Sequence, residues 1–551
     1  VELKTLTNLG RLKDIAVVLV KYGFGDLLQR LDLPMKDLVH DIAPKIDTEA
    51  DVFERIRLAI EELGPTFVKV GQILSMRPDI LPVPLIRELS KLQDAVGPIP
   101  FEQVKEVLEK EFDTSLESLF SSFDPEPVAA ASLSQVHKAV HRSKARVLAV
   151  KVRRPGIAKI VKNDLNILET LAQKCHDNID TLRMYDLPGI VESSRRTLLR
   201  EIDFSREARY IQIAKSKIEQ ESDIVIPEVF TEYSTPKVLV IAFVSGTKIT
   251  PALEFPQDQR KSLAGIGLRS AILQILDHGF FHADPHPGNM VITRDNRLCL
   301  MDWGMVGRLT VDEKSELLFL IRAAVEKDSR KLTEILLNIA IAQKPINARQ
   351  LEKDVMDIMD VYLSLSLKEI QVGQLLEDLV QILKSHELRL PPDMSIVVKA
   401  VITMEGTARM LYPDLDVISA SRPHIRKLVA QRYSKQYLWQ RLRHNLSSMW
   451  NLQKHLPTTL SAIFKKMEHG EFTIRFEHKN LSPLQNALES SFKRLTLGIV
   501  LGAMIIGSSM IITTGVPPFL FGFPALGMIG YLISAVIGLW LIITIIRGKE
   551  H

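Results

Sequence analysis

The sequence predicts an α+β protein of several units that ends in a two-helix transmembrane hairpin. Three observations predict this. The 551 residues exceed what one compact core holds, at ~100–200 residues per domain. A stretch from Val128 to about Ile241 reads as strands plus a helix, between long stretches of helical patterning. Near the C-terminus, Leu495–Thr514 and Pro524–Ile546 carry no charge, and each is long enough to cross a ~30 Å hydrocarbon core as a helix.

Composition narrows the class. Hydrophobic residues at 46% and charged ones at 25% exclude a disordered chain and a many-pass membrane protein. The 70 basic and 66 acidic residues are too balanced for nucleic-acid binding through bulk charge. Cys175 and Cys299 are the two cysteines, so neither a disulfide scaffold nor a multi-cysteine zinc site is available.

In chain order, Val1 to about Ala95 reads as helices, broken at Gly64-Pro65 and stopped at Arg77-Pro78-Asp79. The apolar run Ile15–Val20 is too short to span a membrane or to form a signal-peptide core. Pro98–Phe123 holds a further helix, then Pro125-Glu126-Pro127 punctuates. From Thr250 to about Glu477 the pattern is mostly helical, and Trp439 and Trp450 with Arg441, Arg443 and Lys454 pose a membrane-surface reading against a plain surface-helix one. At the hairpin, Lys493 and Arg494 precede the first span and Arg547 and Lys549 follow the second, while the turn from Gly515 to Phe523 has no basic residue. Both ends then face the cytoplasm. Gly498 and Gly502 have small-xxx-small spacing, read as packing within the hairpin in preference to a homodimer contact.

The densest chemistry lies in Phe281-His282-Ala283-Asp284-Pro285-His286-Pro287-Gly288-Asn289, a loop whose prolines and glycine forbid regular helix. Two apolar runs about the turn Arg294-Asp295-Asn296 predict a β-hairpin that returns Asp302 to the neighbourhood of Asn289. Asp284, Asn289 and Asp302 then converge as hard oxygen donors suited to Mg²⁺ held with phosphates. Asn289 and Asp302 are the metal ligands, and Asp284 takes the nucleophile's proton. Two alternatives are that Asp284 and Asn289 only cap turns, and that His282 and His286 bind zinc, which Pro285 disfavours by breaking a helical HxxxH face.

Upstream, Val128-Ala129-Ala130-Ala131-Ser132 precedes the strand Val147–Val152. Alternation puts Leu148, Val150 and Val152 on one face of that strand and Lys151 on the other. A strand lysine behind a loop of tiny side chains can meet a phosphate under close backbone amides, whereas a strand lysine taken by itself is more often surface decoration. Arg200–Arg209 reads as a helix with Asp203 and Glu207 on one face and Glu201 elsewhere, so two acids can serve two lysines; a solvated helix face is the bland alternative. In Lys69-Val70-Gly71-Gln72, Gly71 costs a helix ~1 kcal/mol relative to alanine, which suggests close packing there.

A strand lysine, an acid on a later helix, Asp-x-x-x-x-Asn and Asp-x-Gly about a hairpin resemble, in order, the parts of a two-lobed protein-kinase-like fold. The 18 positions from Asp284 to Asp302 resemble its spacing. The alanine-rich loop in place of a glycine-rich one, His282-Ala283-Asp284, and the Lys69–Gln72 motif resemble the UbiB family of atypical kinase-like proteins, bacterial type, over roughly Val52–Met305.

The resemblance implies ATP and Mg²⁺ as cofactors and support of ubiquinone or related prenyl-quinone biosynthesis at a membrane. It implies that Ala129, Ala130, Ala131 and Ser132 lie over the nucleotide and that Lys151 contacts its phosphates and pairs with Glu207. Lys69 and Gln72 would lie over the site with Lys69 paired to Glu201, and Asp203 would complete a Glu-x-Asp motif. The implied partners are ATP, a prenyl-quinone precursor or isoprenoid lipid, membrane phospholipid and quinone-biosynthesis enzymes, with the kinase-like domain on the cytoplasmic side of a bacterial inner membrane. The resemblance also implies that the helical extension occupies the place of a protein substrate, which favours ATP hydrolysis or a small-molecule substrate. Trp303 departs from the Asp-Phe-Gly pattern and keeps its packing role, and Ala242 stands where members often have glutamate, which bears on base selectivity. Domain bounds of 1–97, 98–245, 246–480 and 495–546 follow. The competing function is an ATP-sensing membrane scaffold or lipid-extraction factor without turnover; a zinc hydrolase comes third.

Overall fold

The structure, a computed structural model, describes residues 9–31, 51–77, 80–92, 96–183, 186–218, 223–342, 344–366, 368–432 and 482–547. The chain forms two compact units, Val1–Trp439 and Gln440–His551.

In the first unit the N-terminal extension is helical: α1 (Leu9–Lys21), α2 (Val52–Leu63), α3 (Pro65–Ser75) and α4 (Val83–Leu89). The break between α2 and α3 falls at Gly64-Pro65. Gly64 has φ +97°, which side-chain-bearing residues avoid, and Pro65 opens α3, where no N–H partner is required. On α3, Phe67, Val70 and Ile73 are buried, and the absent Cβ of Gly71 lets Leu89 and Leu92 pack onto the helix.

Next come α5 (Phe101–Phe112) and a strand β1 (Phe120–Phe123), where the sequence reading continued the helix. The helix stops at Asp113, which is left-handed (φ +51°), and Phe-Ser-Ser-Phe pairs antiparallel with the strand Ser134–His141 through a register shift between Phe120 and Ser122 that leaves Phe120 in the core. With β2 (Ala129–Ala130), β3 (Ser134–His141), β4 (Val147–Arg153) and a later strand at Val238–Ala242 this makes a five-stranded antiparallel sheet. Alternation along β4 is as expected: Leu148, Val150 and Val152 are fully buried against Val104 and Leu108 of α5, and Ala149 belongs to the core on the opposite side. Each of those three side chains contributes ~1.5–3 kcal/mol by leaving water.

Between β4 and the last strand of that sheet lie several helices where the sequence reading had one. The long ones are α6 (Ile157–Asn178), α7 (Leu187–Glu201) and α8 (Phe204–Ile218). Buried Val161 and Leu165 of α6 and Leu198 of α7 pack on Val70 and Ile73 of α3, seating the extension against the alanine-rich hairpin through Leu133. The single helix expected over Arg200–Arg209 is broken at Ile202-Asp203, because Asp203 Oδ1 accepts from the Ser205 amide (3.2 Å) and hydroxyl (2.5 Å) and starts a new helix.

A second sheet has the order β5-β10-β9-β7, from β5 (Ile224–Val225), β6 being the Val238–Ala242 strand above, β7 (Gly246–Lys248), β9 (Met290–Thr293) and β10 (Leu298–Leu300). The pair β8 (Phe280–His282) and β11 (Val306–Arg308) flanks the segment that carries Asp284, Asn289 and Asp302. The rest of this lobe is helical: α9 (Gln257–Ile272), running into a π-helical turn at Leu273–His278, then α10 (Val311–Glu326), α11 (Ser329–Ile339), α12 (Ala348–Ser364), α13 (Val372–Ser385), α14 (Pro392–Leu411) and α15 (Val417–Arg432). A capping box between Thr310 and Glu313 starts α10. Trp439, Arg441, Arg443, Trp450 and Lys454 lie outside the described residues.

In the second unit α16 (Ser482–Thr514) and α17 (Ala525–Arg547) form an antiparallel hairpin. Leu495–Thr514, 20 residues with mean hydropathy 2.2, is long and apolar enough to cross a membrane; Ala525–Trp540 is a shorter apolar helix. Outward residues such as Ile499, Ile506, Met510, Leu532 and Val536 are exposed. The close contact inside the hairpin is made by Gly527, Gly530 and Gly538 against Ser508, Ile512 and Leu501. Among the described residues nothing lies within 4 Å of where a Cβ on Gly498 or Gly502 would be.

Candidate active site

Strand β4 presents Lys151 toward α8, and the Lys151 Nζ lies 2.9 and 2.8 Å from the two carboxylate oxygens of Glu207 and 3.4 Å from Asp302 Oδ1. Burial opposes the lysine charge, but Asp302 and Glu207 together outweigh it and hold the ammonium above the ordinary lysine range. Burial pushes Glu207 up, with Lys151 opposing. The Lys151 ammonium, against the opposing effect of burial, holds Asp302 well below the usual carboxylate range.

Asp302 takes a left-handed conformation (φ +50°) that turns its carboxylate back toward the Gly304 amide, 3.3 Å from Oδ1, and leaves the side chain half exposed. Trp303 behind it is fully buried, stacked parallel on Phe280 at 6.1 Å, with its indole N–H donated to the Leu300 carbonyl at 3.1 Å. The tryptophan thus fills the packing role expected of it.

A ring of hydrogen bonds joins the Asp284 loop to the Asp302 loop. The His282 imidazole donates from Nε2 to the Met301 carbonyl (2.8 Å) and accepts at Nδ1 from the Asp284 amide (3.2 Å). The Met301 amide donates to the Asn289 carbonyl (2.8 Å), and the Asn289 side-chain nitrogen donates to the Asp284 carbonyl (3.2 Å). One ring nitrogen donates and the other accepts, so the imidazole is neutral; burial pushes its pKa down, against the Met301 carbonyl. His286 Nε2 lies 3.8 Å from the Asp284 carboxylate.

Lys69 of α3 reaches Glu201 Oε1 at 2.7 Å, both side chains being mostly buried, and the Glu201 Cγ lies 3.9 Å from where a Gly304 Cβ would be. The extension is thereby linked to the Asp302 loop through Glu201 of α7. Gln72 turns away from this group and donates to the Leu92 carbonyl at 3.1 Å, while Asp203 caps α8 as described. Ala129 and Ala130 form β2, the Ala131 amide is taken by the Ser134 carbonyl (2.8 Å), and Ser132 is buried in the turn. Two contributors escaped the sequence reading. Arg154 donates to the carbonyls of Ala131 (2.9 Å) and Gly97 (2.7 Å), fastening the alanine-rich turn; its place in Arg153-Arg154-Pro155-Gly156, directly after β4, is the signal. Gln274 is the other, a polar residue inside the apolar run Ile272–Leu276.

The donor set fits a magnesium–nucleotide. Asn289 uses its side-chain nitrogen on Asp284, which leaves Oδ1 for a metal, and the exposed Asp302 carboxylate supplies a second hard oxygen beside the Lys151 cation. It does not fit zinc, since both His282 nitrogens are engaged. Among the described residues no group of three or more His, Cys, Asp and Glu is placed to hold a metal.

A sheet-bearing lobe with a strand lysine paired to a helix acid, joined to a helical lobe carrying Asp-x-x-x-x-Asn and Asp-x-Gly, defines an atypical kinase-like protein. Family models agree: residues 91–336 match the ABC1 atypical kinase-like domain, 355–416 the UbiB helical domain, and 479–547 the ABC1/UbiB kinase-like C-terminal domain. The chain is 30% identical over 541 residues to a Clostridium pasteurianum protein named only as uncharacterized, in the hydrogenase 1 5' region, covering 98% of this chain and 99% of that one. It is 31% identical over 432 residues to the probable protein kinase UbiB of Cellvibrio japonicus, covering 77% and 78%. A solved Mycobacterium tuberculosis structure, that of Rv3197 with erythromycin, aligns with TM-score 0.48 at 22% identity over 64% of this chain and 90% of that one. The chain belongs to the ABC1/UbiB family of atypical kinase-like proteins.

Proposed function

We propose that this protein is an ATP- and Mg²⁺-dependent atypical kinase or ATPase of the UbiB type that supports ubiquinone or related prenyl-quinone biosynthesis at a membrane. The observation that carries the reading is Lys151, bonded to Glu207 and within 3.4 Å of Asp302, whose loop is hydrogen-bonded to that of Asp284 and Asn289.

In this reading Lys151 holds the phosphates of ATP, Asn289 and Asp302 hold the metal, and Asp284 accepts the proton of the attacking water or hydroxyl. Mg²⁺, when bound, supplies charge neutralisation at the phosphate oxygens. Lys69 and Glu201 bring the extension against the Asp302 loop, which supports a water or small-molecule nucleophile over a protein substrate. The apolar hairpin supports a bacterial inner-membrane location with the kinase-like unit in the cytoplasm. Its partners on this reading are a prenyl-quinone precursor or isoprenoid lipid, phospholipid and quinone-biosynthesis enzymes.

A nucleotide-sensing scaffold is the second reading, favoured by the alanine-rich turn, whose Ala131 amide is already engaged. The experiment is Mg²⁺-dependent ATP hydrolysis by the full chain in detergent, with and without anionic-lipid vesicles and a small phenol. Turnover that either addition raises, and that Asp302→Asn abolishes, supports the enzyme. Tight ATP binding without turnover under every condition supports the scaffold.

A further inference from the structure

Gln274 is 2% exposed and lies in the π-helical turn Leu273–His278 that ends α9, outside every motif discussed above. Its Oε1 accepts from the His282 backbone amide at 3.0 Å, and its Nε2 donates to Ser270 Oγ at 2.8 Å. A backbone N–H only donates, so the atom facing His282 is the carbonyl oxygen and the amide orientation is fixed. A π turn adds a residue to the helical circuit and re-aims the side chains that follow; here it delivers an amide beneath β8. His282 is the residue whose ring holds the Asp284 amide on one side and the Met301 carbonyl on the other. The relay Ser270–Gln274–His282 therefore anchors the ring of hydrogen bonds around Asp284, Asn289 and Asp302 to the helical lobe.

We propose that Gln274 is a positioning residue: it fixes the height of His282 and, through it, the placement of Asp284 and Asp302. The proposal rests on the reading of Asp284 as proton acceptor. Gln274 touches neither nucleotide nor nucleophile, so its removal acts on kcat rather than on nucleotide binding. Leucine is close to glutamine in size and would face the mainly apolar surroundings of Phe281, Pro285, Leu300 and Met404, so Gln274→Leu should fold.

The test uses the full chain carrying Gln274→Leu or Gln274→Glu, with Asp284→Asn as reference. The leucine variant is expected to lose ~10–100-fold in kcat for ATP hydrolysis, as misplaced catalytic groups do, with KM for ATP within about twofold. In the nucleotide-free protein, hydrogen exchange at the His282 and Asp284 amides should quicken about tenfold or more while β4 is unchanged. Gln274→Glu keeps the acceptor and should regain most of kcat at pH 8. Its acid limb should move to higher pH, because a carboxylate joins Asp284 and Asp302 in favouring the imidazolium of His282, against His286. Unchanged kcat and exchange in Gln274→Leu, with turnover lost in Asp284→Asn, would overturn the role of Gln274 and leave the reading of Asp284 standing. Turnover that survives Asp284→Asn overturns that reading and the proposal with it.

Discussion

Lys151 and Glu207 form a chelated ion pair, the ammonium within 2.9 Å of both carboxylate oxygens, in a site where the two side chains are 17% and 6% exposed. Such a pair gains little over apolar packing, yet leaving one partner alone is costly. Glu207→Leu leaves Lys151 with Asp302 at 3.4 Å as its remaining acid and should destabilise the fold by about 1–3 kcal/mol, and Lys151→Met combined with Glu207→Leu should recover most of that. Urea midpoints measure the stability. On the proposed reading, in which Lys151 holds the phosphates of ATP, turnover should be lost in both variants.

Asp302 and Asp284 separate binding from chemistry. On the proposed reading Asp302→Asn removes a metal ligand, and it also removes charge that helps hold Lys151 protonated, so MgATP affinity by calorimetry should fall about tenfold or more. Asp284→Asn should leave that affinity within about twofold and cut hydrolysis ~10²–10⁴-fold, the usual worth of a general base.

The parts of the site carried on strands and tight turns were legible, because a period of two and a Gly/Pro-rich loop leave few choices. The faces of β4, the hairpin around Arg294-Asp295-Asn296 and the meeting of Asp302 with the Asn289 loop all follow from local pattern. What escaped depends on one or two atoms or on distant packing. The break at Asp203 turns on a carboxylate reaching the Ser205 amide and hydroxyl, and helical periodicity reads straight through it. Gln72 has the spacing to accompany Lys69, yet its amide is bonded to Leu92, twenty positions on, a contact no local pattern encodes. The π turn is invisible for the same reason, since its effect is to re-aim Gln274 toward β8.

His282 sets a pH dependence. Its pKa lies below the ordinary 6.5 in the folded chain, so just below pH 6.5 the unfolded chain binds the extra proton. Its stabilising contribution is complete above pH 6.5 and is lost as the pH falls from there through the folded value. Asp302, also depressed, acts in the same direction but only below its ordinary 3.8, whereas Glu207, pushed up to about 7, acts in the opposite direction from there down to its ordinary 4.5, so over the interval from pH 7.5 to 5 the histidine contribution is read from the change of slope between variants. His137, lowered by burial, contributes over the same interval. The fall in urea midpoint should flatten in His282→Asn and again in His137→Asn; an unchanged slope in the former would mean that His282 is not held neutral.

Arg11 pins α1 to α6. Its guanidinium contacts both oxygens of Asp164 at 2.8 and 3.2 Å and the Leu63 carbonyl at 2.7 Å, beside the Gly64-Pro65 break from which α3 sets out toward Lys69. Asp164 is 1% exposed, so Arg11→Ala strands a buried carboxylate and should cost about 3 kcal/mol, whereas Arg11→Met with Asp164→Leu should restore most of it. Thermal melts of the three variants decide the point.

The hairpin contact yields a geometric prediction. A Cβ built at Gly530 would lie 3.3 Å from Ser508 Cβ, close to the ~3.5–4.5 Å Cβ separation of a disulfide. S508C/G530C should therefore cross-link within one chain under mild oxidation in membranes, seen as two fewer alkylated thiols by mass spectrometry. Among the described residues nothing lies within 4 Å of a Cβ at Gly498, so G498C should stay reduced and monomeric in the same treatment. Failure of S508C/G530C to close, with G498C joining two chains, would mean that the helices meet through the Gly498 face of a second copy, and that the glycines of α17 are turned outward.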